Sequence, residues 1–230
     1  MGVSSRIGKQ LAPRVTGLAP GLTSSFVREA LSRAISGVGP LPGAAKAADA
    51  QLAEQKGDVD KAIKELIENH VRYAGAQGFA TNLGGLVTMA LLVPANITGL
   101  ALLQCRLVAG IAHLRGYDLD DPRVRNAILA CLLGQDSVDE LVKKRKLPAP
   151  PMALATSPVH DPALDEQVAS AVTTELVAKV GGRRVATFVG RRIPLLGGGV
   201  GAASDAMSTY QIGQYVSREM RDRRGTSPAA

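Results

Sequence analysis

Chemistry in this chain would have to come from a few scattered residues. Between Gly197 and Gly213 only Asp205 is charged, standing among glycine and alanine. A carboxylate in such apolar company needs a partner, and Arg106 is the natural candidate because it closes a long stretch without charge. The pair reads either as a structural ion pair or cap, or as a site that handles a ligand or a proton. His70, His113 and His160 stand apart from one another, with no second ligand at metal-binding spacing. Asp118, Asp120 and Asp121 crowd one turn without the spacing of a calcium loop. No nucleophile elbow or Cys/His signature is present. No catalytic residue, cofactor or metal is therefore expected. An enzyme would need Asp205, Arg106 and a histidine to converge on one pocket.

Two clusters admit plainer readings. Gly197, Gly199 and Gly201 suggest a phosphate loop, but no Lys-Ser/Thr follows and no strand precedes. Gly197, Gly201, Asp205, Thr209 and Gly213 instead recur every four residues. That spacing lays a groove of small residues along one helix face, where a second helix can approach closely. Lys143, Lys144, Arg145 and Lys146 form a basic tetrad. It reads as a solvated helix end, as a contact for anionic lipid, or as a contact for nucleic acid. The last has no helix-turn-helix or stacking motif to support it.

The elements that must position these residues are helical. Hydrophobic residues make up 46% of the 230, aromatics only 3%, with no Trp and 25 glycines. Such a chain packs through small residues and lacks a stacking platform for single-stranded nucleic acid. The formal charge of +7 favours anionic partners or simply solubilises an apolar protein. Cys105 and Cys131 both fall in apolar helical patterns, as core thiols of a reducing compartment do. The first residues are basic but are broken by Pro13 and Pro20, unlike a secretory signal. Residues 1–20 read as a loose arm, 21–220 as one domain, and 221–230 as a disordered tail.

Within the domain, apolar spacing predicts helices over about 24–35 and 44–55, then a long one after Asp58 with the stripe Val59, Ala62, Ile63, Leu66, Ile67, His70 and Val71. Asp60 with Lys64 and Glu68 with Arg72 are acid-before-base pairs on its outer face. His70 lies on the apolar side, as a core or a functional histidine. Asp121-Pro122 opens a further helix, and Ser137 with Glu140 spells a capping box. Prolines mark a loop over about 147–161. Asp161-Pro162 and the glycine-faced segment open the last two helices. No sustained strand alternation is found.

From Tyr73 to Cys105 no residue is charged, a run of 33. As one helix it would extend about 50 Å, well beyond the ~30 Å of bilayer hydrocarbon. Pro94, Asn96 and Gly84-Gly85 are expected to divide it into two helices. The run reads as a pair buried in the bundle, a pair inserted in or lying on a bilayer, or a single span. Asn82, Thr88, Asn96 and Thr98 and the absence of an aromatic belt weaken the last.

Three blocks in order carry a resemblance: Gly78 to Gly85 and on to Pro94; Gln104-Cys105-Arg106 through His113-Leu114-Arg115-Gly116-Tyr117-Asp118 with Asp121-Pro122; and Ile193-Pro194-Leu195-Leu196-Gly197 to Asp205. Over roughly residues 40–220 the chain resembles the EcsC protein family, bacterial proteins named for a gene in an ABC-transporter operon. The resemblance implies a helical fold, no established activity and a membrane neighbourhood. Where it leads one to expect Asn after the glycine cluster, this chain has Asp205.

The expectation is an all-α compact bundle of about seven to nine helices, with a central apolar Gly/Ala-rich pair. Its work is read as that of a non-catalytic accessory protein at the cytoplasmic face of the inner membrane. The partner would be an anionic membrane surface or a membrane protein. The alternative is a soluble carrier of a lipid or other apolar ligand. Nucleic acid is not an expected partner.

Overall fold

The computed structural model describes residues 23–82, 85–190 and 194–223. Of 78–98 and 178–201 it gives the course of the helices and not the side chains. Nine helices and one two-residue hairpin are found among the described residues. The helices are α1 (Ser24–Ser36), α2 (Ala44–Glu54), α3 (Val59–Asn82), α4 (Gly85–Leu114), α5 (Pro122–Cys131), α6 (Gln135–Lys143), α7 (Pro151–Ala155), α8 (Pro162–Gly190) and α9 (Pro194–Glu219). The protein is all-α.

Local chemistry explains several boundaries. Thr23 Oγ1 accepts the Phe26 amide at 3.2 Å and caps α1, whose Val27, Ala30, Leu31 and Ala34 are buried at helical spacing. Gly37 ends it at φ 92°, and a Cβ there would stand 2.7 Å from the Leu41 carbonyl oxygen. The chain then turns through a hairpin that the sequence pattern does not show: β1 (Gly37–Val38) pairs antiparallel with β2 (Leu41–Pro42). Asp121 accepts the Arg123 amide and caps α5, with Pro122 in the first turn. Ser137 and Glu140, by contrast, form no capping box. Gly134 precedes α6, and the Ser137 hydroxyl donates instead to Glu175 on α8 at 3.0 Å. Long-range packing prevails over the local cap.

Two more expectations change. The charge-free run is divided into two helices as expected, but between Asn82 and Gly85 rather than at Pro94, which lies inside α4. Its missing N–H costs one helical hydrogen bond, which the 30-residue helix tolerates. Glu68 pairs with Arg72 at 3.5 Å, but Asp60 reaches across to Arg115 at 3.1 Å rather than to Lys64.

The second half of α4 is the hub. Leu107, Val108, Ile111 and Leu114 are fully buried, against α1 and α2 on one side and α3 on another. Burying one such side chain contributes roughly 2–3 kcal/mol before conformational entropy is counted. Gly110 lets the helices close up, since a Cβ there would meet Leu66 Cδ2 at 2.9 Å. α5 carries α7 and α8 on its other face. The proline-rich segment contains α7, and Pro151, Leu154 and Ala155 are buried. At the chain's end Met220 is fully buried. The Arg223 amide donates to the Arg115 carbonyl at 2.9 Å, and its guanidinium lies 5.8 Å from the centre of the Tyr117 ring. Residues 221–223, read from sequence as the start of a disordered tail, are therefore held on the body.

α3 packs most extensively on α9, and the two run antiparallel. Ile67 meets Gly213, and Gly75 meets Ala206 and Ala202. α4 also runs antiparallel to α3, with Gln77 over Gly99 and Leu66 over Gly110, and packs on α9 as well. The Asn82 end of α3, the Gly85 end of α4 and the Pro194 end of α9 thus share one end of a three-helix layer in which each helix touches the other two.

Candidate functional site

The seam between these three helices holds the most unusual side chains. His70 from α3 is 4% exposed, and its Nδ1–H donates to the Leu66 carbonyl at 2.8 Å. Burial is the chief cause that pulls its pKa down to about 4, with the Arg106 charge adding to the shift against the Leu66 bond. His70 is therefore neutral at neutral pH. Its ring stands edge-on to Tyr73, centroids 6.4 Å apart.

From α4, the buried Gln104 amide donates to Thr209 Oγ1 at 3.3 Å and to Ser208 Oγ at 3.4 Å. Thr209 is fully buried, so this bond satisfies polar atoms that would otherwise be costly. Thr209→Val should lower stability by about 1 kcal/mol, read as a lower urea midpoint. An unchanged midpoint would mean that Ser208 alone satisfies Gln104.

Arg106 follows two residues later, half-buried beside His70 and Tyr73. Desolvation pulls its pKa down, and it makes no hydrogen bond or ion pair with any described residue. Asp205, on α9, is buried and not without a partner of its own. The ion pairs among the described residues do not include one between Arg106 and Asp205. The structure thus sets Arg106 beside a histidine and a tyrosine, a neighbourhood that sequence spacing did not disclose.

Of the groove residues, Thr209 and Gly213 face inward. A Cβ on Gly213 would lie 2.8 Å from Ile67 Cγ1. Gly197 and Gly201 lie in α9, but their surroundings fall outside the described residues. All four residues of the tetrad, Lys143, Lys144, Arg145 and Lys146, are exposed. Lys144 pairs with Glu140, and Arg145 takes a left-handed φ of 54° as α6 ends.

Two depressions lie elsewhere, around α5 and the proline-rich segment. One is wide open, about 580 Å³, lined by Asp118, Asp120, Asp121, Arg123 and His160. Its carboxylates are already used: Asp121 holds Arg123 and Asp120 holds Arg125, while Asp118 accepts the Asp120 amide. The other is about 160 Å³, lined by Pro148, Leu154 and Leu164 with Asn126 and His160. There Asn126 and His160 both reach Asp165, at 2.7 and 2.9 Å, tying the segment to α8. Among the described residues no His, Cys, Asp and Glu cluster suited to a metal ion is found. Both cysteines are buried; burial pushes the Cys105 thiol up to about 12 and the Cys131 thiol well above its ordinary value. They act as core residues and not as nucleophiles.

Fold and seam define an all-helical bundle in which the buried Gln104, Thr209 and Asn126 bridge helices. The chain belongs to the EcsC protein family, whose family model matches residues 5–224. No match is found among curated proteins or among solved structures.

Proposed function

We propose that the protein is a non-catalytic accessory factor that works at the cytoplasmic face of a membrane, on the lipid surface or on a membrane protein. One observation carries this reading. The antiparallel packing of α3 with α4 and α9 gathers the uncharged segments 73–82, 85–105 and 194–204 at a single end of the layer. Uncharged helix segments aligned at one end, with Arg191 and Arg192 just before Pro194 in sequence, suit an interfacial environment. Among the described residues no helix is long and apolar enough to cross a membrane, which suits a peripheral role. The net charge of +7 adds attraction to anionic lipid.

The carrier reading has less behind it. The more enclosed depression, at about 160 Å³, is smaller than the ~300–1,000 Å³ of most ligand sites.

Flotation of the purified protein with neutral and anionic vesicles, at low and high salt, tests the proposal. The expected result is co-flotation with vesicles containing phosphatidylglycerol. Loss at high salt would mark a surface contact, and survival at high salt an inserted one. Absence from the floating fraction under every condition would sink the lipid form of the reading and leave docking to a membrane protein.

A further inference from the structure

Among the described side chains four arginines are half-buried: Arg106, Arg115, Arg123 and Arg125. Three of them are met by a carboxylate, Arg115 by Asp60, Arg123 by Asp121 and Arg125 by Asp120. Arg106 is met by none. All 20 acidic side chains of the sequence belong to described residues, and none of them pairs with Arg106. A guanidinium keeps its charge at any ordinary pH, so one drawn out of water without an anion is costly to the fold.

The packing of α3 on α4 places this charge. Leu66 on Gly110 and Gln77 over Gly99 fix the antiparallel register of the two helices. Residues 66, 70, 73 and 77, and residues 99, 103, 106 and 110, each follow the four- and three-residue steps of one helix face. That register sets His70 opposite Arg106 and Tyr73 opposite Leu103. The Arg106 charge acts on His70, and Tyr73 acts on Arg106, as neighbours in one seam do. Tyr73 is 63% exposed and Leu103 half-buried, so the guanidinium stands at an open rim beside an aromatic ring and a leucine. One guanidinium suits one singly charged oxyanion, and an apolar chain carried by that anion would cover the ring and the leucine.

We propose that Arg106 anchors a ligand site in the α3–α4 seam, which takes the carboxylate or phosphodiester head of an amphiphile and lays its apolar chain along Tyr73 and Leu103. The site goes beyond the membrane reading, since it can fill from solution as well as from a bilayer and needs no insertion of helix ends.

Thermal unfolding of the full chain with monomeric octanoate, or with monomeric dihexanoyl phosphatidylglycerol, tests the site; acetate supplies the head alone. At ten times its Kd, at least one amphiphile should raise the melting temperature by roughly 3–6 °C. Acetate should raise it far less. Arg106→Met keeps an apolar stem and removes the charge. It should bind the amphiphile about tenfold or more weakly, the loss expected for a charge-assisted hydrogen bond. Without ligand it should melt no lower than the wild type, because an unpaired charge has been removed. Arg72→Gln, at an exposed arginine paired with Glu68, should bind as the wild type does. The chain has three histidines. In NMR spectra the amphiphile should move the ring signals of His70, identified by their absence in His70→Leu, and leave those of His113 and His160.

No shift with either amphiphile overturns the proposal, as does equal binding by the wild type and Arg106→Met. A lower melting temperature of Arg106→Met without ligand would mean that the charge serves the fold, which also overturns it. Equal weakening by Arg72→Gln would reduce the binding to general charge attraction. Movement of His113 or His160 in place of His70 would put the ligand elsewhere. If acetate matches the amphiphiles, the contact with Tyr73 and Leu103 is wrong and the site is for a small free anion. Flotation can fail without touching this result, because both amphiphiles are monomers in solution.

Discussion

Gly213→Leu is expected to destabilise the fold by about 3 kcal/mol or more, a fall in melting temperature of roughly 6–12 °C for a chain of this size. A Cβ at this position would already lie 2.8, 3.1 and 3.2 Å from three carbons of Ile67. Ile67 is buried and β-branched, so it has no free rotamer into which to retreat. Three further carbons can be seated only by pushing α9 away from α3, the largest helix contact among the described residues. Gly213→Ala separates crowding from helix propensity. Alanine gains about 1 kcal/mol as a helix former against a similar cost for the tight contact, so its net effect is small. Thermal unfolding followed by circular dichroism decides the matter. A leucine variant melting with the wild type would mean that α3 and α9 do not approach this closely. Because the same contact aligns the charge-free ends, vesicle binding should fail with it.

The second large effect is a pH dependence located at one histidine. In the unfolded chain His70 takes up a proton near its ordinary value of 6.5, whereas in the fold burial delays this to about 4. Between those values the unfolded chain binds a proton that the folded protein refuses. Stability therefore rises with pH through that window and falls as the medium is acidified from about 6.5 to about 4. The full step is about 3 kcal/mol. His70 adds no slope above or below the window. Several carboxyls held low by partners, among them Asp121 beside Arg123 and Asp165 beside His160 and Asn126, also lose stability on acidification. The diagnostic is consequently a difference between two proteins. Urea midpoints of the wild type should fall between about pH 6.5 and pH 4, and those of His70→Leu should fall much less. Parallel curves would mean that the His70 ring is solvated.

The helical class and most helix positions were legible in the sequence because apolar residues at a 3.6 spacing leave few alternatives. α1, α3 and α5 follow from the stripes through Val27, Ile63 and Val124 and from caps such as Asp121. The tail and the short elements were less legible. Two residues of hairpin carry no periodicity, and Arg223 is held by a backbone bond to Arg115 that no local pattern announces. Ser137–Glu140 shows how a local motif loses: its hydroxyl found Glu175 38 positions away. Pro94 shows the same in reverse, a breaker overruled by the length of helix around it.

Arg106 and Asp205 stood out by sequence as isolated charges, and this much the sequence decided: each is the conspicuous charge of an apolar stretch. The composition, the run of 33 uncharged residues and the EcsC family blocks are likewise properties of the chain read alone. Only the tertiary structure decided what stands beside what. Residue 70 meets 106 and residue 104 meets 209 because α3, α4 and α9 lie side by side in an antiparallel register, and register depends on contacts such as Ile67 on Gly213 between residues far apart in sequence. One-dimensional spacing fixes which face of a helix a residue occupies. It carries no information on which other helix that face will meet, since that choice is made by the packing of all of them at once.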